Sequence, residues 1–277
     1  MTIGCLVLCG TPIGHLDDAS RRLADTLAGA DTIFAEDTRR ARVLLGHLGV
    51  GTRPESYFVG NESAKAGRLA NLLRDGATVA LISDAGMPSV ADPGLAAVRV
   101  ARRVGARVSV VPGPSSVVAA LAVSGLPGDR FVFEGFIPRS GSDRSRRLEE
   151  IAAETRTIVL FSAPNRLVSD LEALVTALGP DRPVTVAREL TKLHEEVWCG
   201  TISQAAREWT NRRPRGEFTL VVGGSTGPST PLGAALSEVA ARRAQGQPMS
   251  EAVRQVADGL GLGRRALYEA VLRRDAD

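Results

Sequence analysis

Short apolar runs alternate with stretches in which apolar residues recur three or four positions apart. The runs Ile3–Cys9, Thr32–Ala35, Thr78–Ile82 and Arg107–Val111 predict buried strands. The stretches between them predict helices. One is capped by Asp17 or Asp18, with Ala19, Leu23 and Leu27 on its core face. A second follows E-D-T-R at 36–39, carries Val43, Leu44 and Leu48 and ends at Gly49. A third, capped by Asn61, carries Leu69, Leu72 and Leu73 and ends at Gly76. A fourth runs Pro93–Val104 with Leu95, Val98 and Ala101, and an apolar fifth runs from P-G-P-S-S at 112–116 to about Ser124. Such alternation predicts a mostly parallel sheet covered by helices.

A second series follows G-L-P-G-D at 125–129. Its strands are Phe131–Gly135, Thr157–Phe161, Pro183–Ala187, Glu195–Cys199 and Glu217–Gly223, with helices near 143–155, 165–178 and 201–210. Several links are too short for a crossover helix, so this sheet should be mixed. Gly223–Pro231, G-G-S-T-G-P-S-T-P, reads as a linker. Beyond it lie helices at Leu232–Arg243, at a segment capped by Ser250 that carries Ala252, Val253 and Val256, and at Arg264–Leu272. The turn Asp258–Gly263 gives the last two a helix-turn-helix pattern. The expected class is α/β. Two α/β domains, 1–115 and 116–224, precede a small helix-turn-helix-like module at 232–277, and two successive α/β units imply a cleft.

Loops rich in Gly, Pro and Ser follow three strands of the first series: G-T-P-I-G at 10–14, S-D-A-G-M-P-S-V-A-D-P-G at 83–94 and P-G-P-S-S at 112–116. In open α/β sheets ligands bind at the carboxyl ends of strands. Glycine lets a ligand approach the backbone and proline holds the loop in one shape. Asp84 offers a carboxylate where its strand ends. There is no G-x-G-x-x-G after the first strand and no G-x-x-x-x-G-K-[ST], and His15, His47 and His194 lack zinc spacing. What remains suits a flat, polar, mostly uncharged ligand of nucleoside type.

Charge and cysteines add less. Only Lys65 and Lys192 are lysines among 34 basic residues, and the net charge is +3. Arginines cluster at 39, 40 and 42, at 139, 144, 146 and 147, and at 207, 212, 213 and 215. Such clusters can bind phosphates. Residues 231–277 hold seven Arg against six acidic residues, which is poor for autonomous nucleic-acid binding. Cys5, Cys9 and Cys199 form no framework, the N-terminus has no basic leader, and no apolar run is long enough to span a membrane. A reduced, cytoplasmic setting is expected.

Eight segments in order carry a resemblance. They are G-T-P-I-G at 10–14, A-E-D-T-R at 35–39, the loop at 83–94, P-G-P-S-S at 112–116, S-G-L-P at 124–127, F-E-G-F-I-P-R at 133–139, A-R-E-L-T-K-L-H-E-E at 187–196 and G-E-F-T-L-V-V at 216–222. Together they resemble the ribosomal RNA small subunit methyltransferase I family, a branch of the tetrapyrrole (corrin/porphyrin) methylase superfamily. Where that family carries histidines, this chain reads S-Y-F-V-G-N-E at 56–62 and S-A-P-N-R at 162–166. The resemblance implies two α/β domains with S-adenosyl-L-methionine between them and a homodimer. It also implies methylation of the ribose 2′-hydroxyl of a cytidine in the decoding region of 16S rRNA, with neither membrane nor DNA as partner. Carried over by motif, cofactor contacts fall on Pro12, Ser83, Asp84, Met87, Ser115, Ser116, Ser162 and Ala187. Substrate contacts fall on Arg39, Arg139, Arg144, Arg146, Arg147 and Arg188.

A ribose hydroxyl is a poor nucleophile until its proton leaves, so a base is expected among Lys192, Glu36 and Glu189. Lys192 stands out because a lysine can shift its pKa and an arginine cannot. Two other readings stay open: a methyltransferase acting on a tetrapyrrole precursor, and a DNA-binding regulator led by residues 231–277.

Overall fold

The computed structural model describes residues 3–225 and 231–276. Five strands build the first sheet: β1 (Cys5–Cys9), β2 (Thr32–Ala35), β3 (Glu55–Ser56), β4 (Thr78–Ile82) and β5 (Arg107–Val111). Their order is β3-β2-β4-β1-β5 and every pair is parallel. Both faces are apolar because both are covered. Alternation along β1 sends Cys5, Val7 and Cys9 to one side, against Leu23 and Leu27 of α1 (Arg21–Ala28) and Ala41 and Leu45 of α2 (Thr38–His47). Leu6 points the other way. It joins Leu69 and Leu73 of α3 (Glu62–Arg74) and Ala97, Val100 and Ala101 of α4 (Leu95–Arg103).

The second sheet contains β6 (Phe131–Phe136), β7 (Thr157–Ser162), β8 (Pro183–Arg188), β9 (Glu196–Thr201) and β10 (Phe218–Val222), in the order β6-β7-β10-β8-β9. It is mixed, as the short links require: only β6 and β7 run parallel. One face packs on α6 (Gly141–Ala153), α7 (Leu167–Leu178) and α8 (Ile202–Thr210) through Ile151, Leu171, Leu174, Ala205 and Trp209. The other packs on α5 (Ser116–Val123), where Val117, Ala120 and Leu121 meet Val159, Ala187 and Val221. Thus α5 leaves the rim of the first sheet and buries itself against the second.

The chain divides into two compact units. The first, Met1–Ile151 with Arg156–Gly223, carries both sheets; the second, Ala152–Thr155 with Gly224–Asp277, carries the last three helices. These are α9 (Pro231–Ala244), α10 (Met249–Leu260) and α11 (Arg264–Ala276), packed about Ala235, Val239, Val253, Val256, Leu267 and Val271. Gly261 ends α10 with φ 65°, and the turn is confined to 261–263, because Asp258–Leu260 of the expected turn continue the helix. Residues 226–230 of the expected linker lie outside the described residues. Among the described residues no helix is long and apolar enough to cross a membrane.

Several local expectations change. Asp17 and Asp18 do not cap α1. They sit in a separate 3-10 turn, and Ser20 caps the helix by accepting from the Leu23 N–H. Pro248 rather than Ser250 precedes α10. Asn61 begins α3 without a side-chain cap bond, because its Oδ1 accepts from the Phe58 N–H. Val43 and Leu95 are exposed; Ala41, Leu44 and Leu45 take the core positions of α2, and the smaller Ala97, Val100 and Ala101 take those of α4.

Candidate active site

Parallel pairing brings the loops after β1, β4 and β5 to one edge of the first sheet. Glycine decides how closely they pack. A Cβ on Gly10 would stand 2.5 Å from the Gly113 nitrogen and 2.6 Å from the Met87 sulfur. Thr11 and Gly86 exchange backbone hydrogen bonds of 2.9 and 3.1 Å. In the loop after β4, Ser89 and Ala91 adopt φ of 72° and 61°. In the turn after β8, Glu189 and Thr191 adopt 49° and 65°. Among the described residues these are all the non-glycine residues at positive φ, and each costs energy that the surrounding structure must supply.

Between the loops and the second sheet lies a cavity of about 390 Å³, within the usual range for small-molecule sites. Glu36, Asp84, Met87, Asp92, Ser115 and Ser116 border it from one side. Phe136, Phe161, Ser162, Glu217 and Thr219 border it from the other. The Phe136 and Phe161 rings lie 5.5 Å apart and offer an aromatic surface for a flat group.

The polar wall is acidic. Burial raises the Glu36 carboxyl above its ordinary range, and Asp92 and Asp84 push it further, while the Asp84 backbone N–H and Arg40 oppose them. Its Oε2 is buried without a hydrogen-bond partner. Burial likewise raises Asp92, against a hydrogen bond from Ser83. Asp84 is held in place: Oδ1 accepts from the Asp37 N–H at 2.9 Å and Oδ2 pairs with Arg40 at 3.3 Å.

A smaller hollow of about 260 Å³ shares Arg40, Asp84 and Glu217 with this cavity and reaches Pro12, Gly14 and Lys192. The Lys192 ammonium donates to Glu189 Oε1 at 2.8 Å and to Glu217 Oε2 at 3.0 Å. Burial pulls its pKa down, but these two carboxylates more than offset that and leave it above the usual lysine range. The structure therefore holds Lys192 as a cation, which is the wrong form for the base expected from the sequence. Glu189 sits below the usual range: burial raises it, and Lys192 and the Glu217 N–H outweigh that.

The remaining expected residues divide. Pro12, Asp84, Met87, Ser115, Ser116 and Ser162 border one hollow or the other. Ser83 is buried beneath its loop, with its hydroxyl 3.3 Å from the Ala85 carbonyl. Ala187 is buried on the β8 face that packs against α5, so its side chain faces core rather than cavity. Arg39 is exposed and doubly bonded to Asp37. Arg188 donates to the Arg215 carbonyl and to Glu196. The arginine cluster at 139–147 lies largely on helix, since α6 begins at Gly141, two residues before the expected start. Its arginines meet several acidic partners. Arg146 does pair with Asp143, but Arg147 pairs with Glu134 and Glu150. Arg144 is withdrawn from the surface. Its side chain is 16% exposed and donates to buried Asp170 and the Pro138 carbonyl, so it is not placed to meet a substrate. Only Arg139 of the four is exposed without an ion pair among the described residues.

The comparisons match this architecture. Residues 5–206 fit the model of the tetrapyrrole (corrin/porphyrin) methylases. The ribosomal RNA small subunit methyltransferase I of Synechocystis sp. is 41% identical over 99% of this chain and 100% of its own length. That of Thermotoga maritima is 44% identical over 80% of this chain and 99% of its own length. The chain belongs to the ribosomal RNA small subunit methyltransferase I family, within the tetrapyrrole methylases. Diphthine synthase, 15% identical, superposes with a TM-score of 0.60 over 79% of this chain and 89% of its own. A uroporphyrin-III-C-methyltransferase from Thermus thermophilus, 23% identical, gives 0.56 over 79% and 94%. Both share the fold.

Within this family frame, sequence reasoning missed Asp92, Asp170 and the Phe136–Phe161 pair, and saw Arg40 only as one of an arginine cluster, not as the partner of Asp84. Arg40 and Asp92 stand inside or beside segments already singled out, and their acidic or basic character was the available signal. Asp170 carried only the signal of Arg166 four positions before it, since Ser162 and Arg144 reach it through packing.

Proposed function

We propose that this chain transfers the methyl group of S-adenosyl-L-methionine to the ribose 2′-hydroxyl of a cytidine in the decoding region of 16S rRNA, acting as a homodimer in the cytoplasm. The observation that carries the reading is the cavity, with its glycine-tight loops on one side and its aromatic surface on the other, in a chain whose curated relatives are named small-subunit rRNA methyltransferases.

The residues fit the donor. S-adenosyl-L-methionine supplies a methyl group on a cationic sulfonium. Glu36, Asp84 and Asp92 outnumber Arg40 on the polar wall, which favours a cation over the neutral thioether left after transfer. Asp84, Met87, Ser115, Ser116 and Ser162 border the donor space and Pro12 the adjoining hollow; Ser83 and Ala187 support the two walls from behind. Transfer is an in-line displacement, so alignment supplies much of the rate. Glu36 has a carboxyl raised by burial and by Asp92 and Asp84, and a buried oxygen without a hydrogen-bond partner, which makes it a stronger base for the hydroxyl proton than an ordinary carboxylate. Lys192, fixed by Glu189 and Glu217, presents a positive charge to the acceptor nucleotide and its phosphate. Arg39, Arg139, Arg146, Arg147 and Arg188 supply further phosphate contacts; exposed ion pairs such as Arg146–Asp143 exchange at little cost.

The test is to incubate the protein with small ribosomal subunits and methyl-labelled donor, digest the RNA to nucleosides and analyse them by mass spectrometry. Label in 2′-O-methylcytidine is expected. Label on a base, or none on RNA, overturns the reading.

A further inference from the structure

The loop between β4 and α4 forms part of the cavity wall through Met87, Val90, Ala91 and Asp92. Its opening is tied twice. Thr11 and Gly86 exchange backbone hydrogen bonds, and Asp84 is held by the Asp37 N–H and Arg40. Beyond Gly86 the backbone is strained. Ser89 and Ala91 both sit at positive φ, and such residues persist only where their surroundings over-determine them. Within the loop the Ser89 N–H donates to the Pro93 carbonyl at 3.1 Å. At its end the Gly94 N–H donates to Glu62 Oε1 at 3.0 Å. Among the described residues Glu62 is the only side chain that bonds the backbone of residues 88–94. Gly94 starts α4 without a side-chain cap, at φ 141°, and a Cβ there would stand 2.5 Å from Ser89 Oγ. The loop is thus folded tightly onto the point that Glu62 grips. Glu62 itself is the first residue of α3 and borders neither hollow. Its carboxylate stands at the start of two helices, where negative charge is favoured whether or not the bond forms.

We propose that Glu62 is a positioning residue for the methyl donor: by holding the Gly94 N–H it keeps residues 87–92 in the form that walls the donor space. The inference rests on the reading that the cavity takes an S-adenosyl compound. Donor binding needs the wall formed, so apparent affinity falls with the fraction of chains in which the loop holds that form. The strain at Ser89 and Ala91 favours release. Losing the acceptor at Gly94 frees the loop at that end while its opening stays tied. The bond needs reach, whereas favouring two helix starts needs only charge. The two are separable. Gln keeps the reach and loses the charge; Asp keeps the charge and is one methylene short.

The experiment measures binding of S-adenosyl-L-homocysteine to the full chain by calorimetry, beside steady-state methyl transfer to small ribosomal subunits. Glu62→Ala and Glu62→Asp should each weaken binding by about tenfold, the loss of one good hydrogen bond. Glu62→Gln should stay within about threefold of wild type, because a neutral acceptor remains. In the two weakened variants the KM for the donor should rise and kcat at saturating donor should stay near wild type, because bound donor restores the wall. Ser20→Ala, which removes the cap of α1, controls for a general loss of stability. If Glu62→Ala does not fold, Asp against Gln decides. Wild-type affinity in Glu62→Ala or Glu62→Asp overturns the inference. So does a Gln variant as weak as the Asp variant, an equal loss in Ser20→Ala, or a loss that falls on kcat rather than KM. Failure of the wild-type chain to bind S-adenosyl-L-homocysteine overturns the donor reading and this inference with it.

Discussion

Glu36 and Lys192 are the residues whose behaviour sequence alone does not give. Glu36 ends in the company of Asp84 and Asp92, so burial and like charge raise its pKa. A carboxyl raised on folding binds more protons in the native state between its unfolded and folded values. Stability therefore falls as pH climbs through that window and stays lower above it. Glu36→Gln should accordingly raise the melting temperature of the ligand-free protein at neutral pH, with the gain disappearing below the unfolded value of about 4.5. The same variant should lower kcat and remove the acidic limb of the pH–rate profile. A melting temperature unchanged at both pH values contradicts the strain; an unchanged pH–rate profile removes Glu36 as the base. For Lys192 the sequence showed a rare lysine but not the two carboxylates that hold it charged, one of which, Glu217, is 25 positions away. If charge is its contribution, Lys192→Arg should keep activity within roughly tenfold while Lys192→Met loses far more. Equal collapse of both variants, with the fold intact by circular dichroism, would return the lysine to the role of base.

At the scale of elements, the strands were legible almost to the residue. Thr78–Ile82 has the bounds its apolar run predicts, because a strand buried along nearly its whole length has few polar positions to blur its ends; the edge strand Arg107–Val111 also keeps its predicted bounds, although Arg107 and Val110 are exposed. Helix starts were less legible. Asp17, Asp18 and Ser20 are all competent caps, and choosing Ser20 depends on the 3-10 turn before it. The two-residue β3 is too short to have a periodicity at all. The loops at the sheet edge were legible as loops, yet their mutual approach was not, since Gly10 and Gly113 are far apart in sequence. That approach separates stability from function. Gly10→Ala places a methyl against the Gly113 backbone and the Met87 sulfur, so the loops must part. It should weaken donor binding by tenfold or more. Ser20→Ala, which removes a helix cap that borders neither hollow, should cost about 1 kcal/mol of stability and leave donor affinity alone. Comparable donor affinity in Gly10→Ala and wild type would show that the close approach of the loops does not shape the site.

At the scale of the whole molecule, every residue bordering the two hollows belongs to the first compact unit, and the second unit has a core of its own. In the sequence, G-G-S-T-G-P-S-T-P at 223–231 separates two kinds of periodicity, while nothing there points to Ala152–Thr155 as part of the second unit. It did not reveal which arginines remain available, because pairing with Glu134, Glu150 and Asp170 depends on packing. Removing residues 226–277 should therefore leave donor affinity within about twofold while reducing methylation of ribosomal subunits. The deleted part is nearly neutral, so its contribution to RNA engagement should be one of shape rather than bulk attraction. The salt dependence of RNA binding distinguishes the two. Each phosphate that the protein ceases to neutralise lowers the slope of log affinity against log salt by about 0.7 on single strands. Truncation should weaken RNA binding with little change in that slope. Charge-neutral replacement of Arg39, Arg139 and Arg146 should flatten it by about 2, provided each meets a phosphate. Arg144 is left out of that set because replacing it would strip a partner from buried Asp170 and confound binding with folding. A truncated chain that loses donor binding would place the helical unit in the active cleft. An unchanged slope in the arginine variant would take that rim off the path of the RNA.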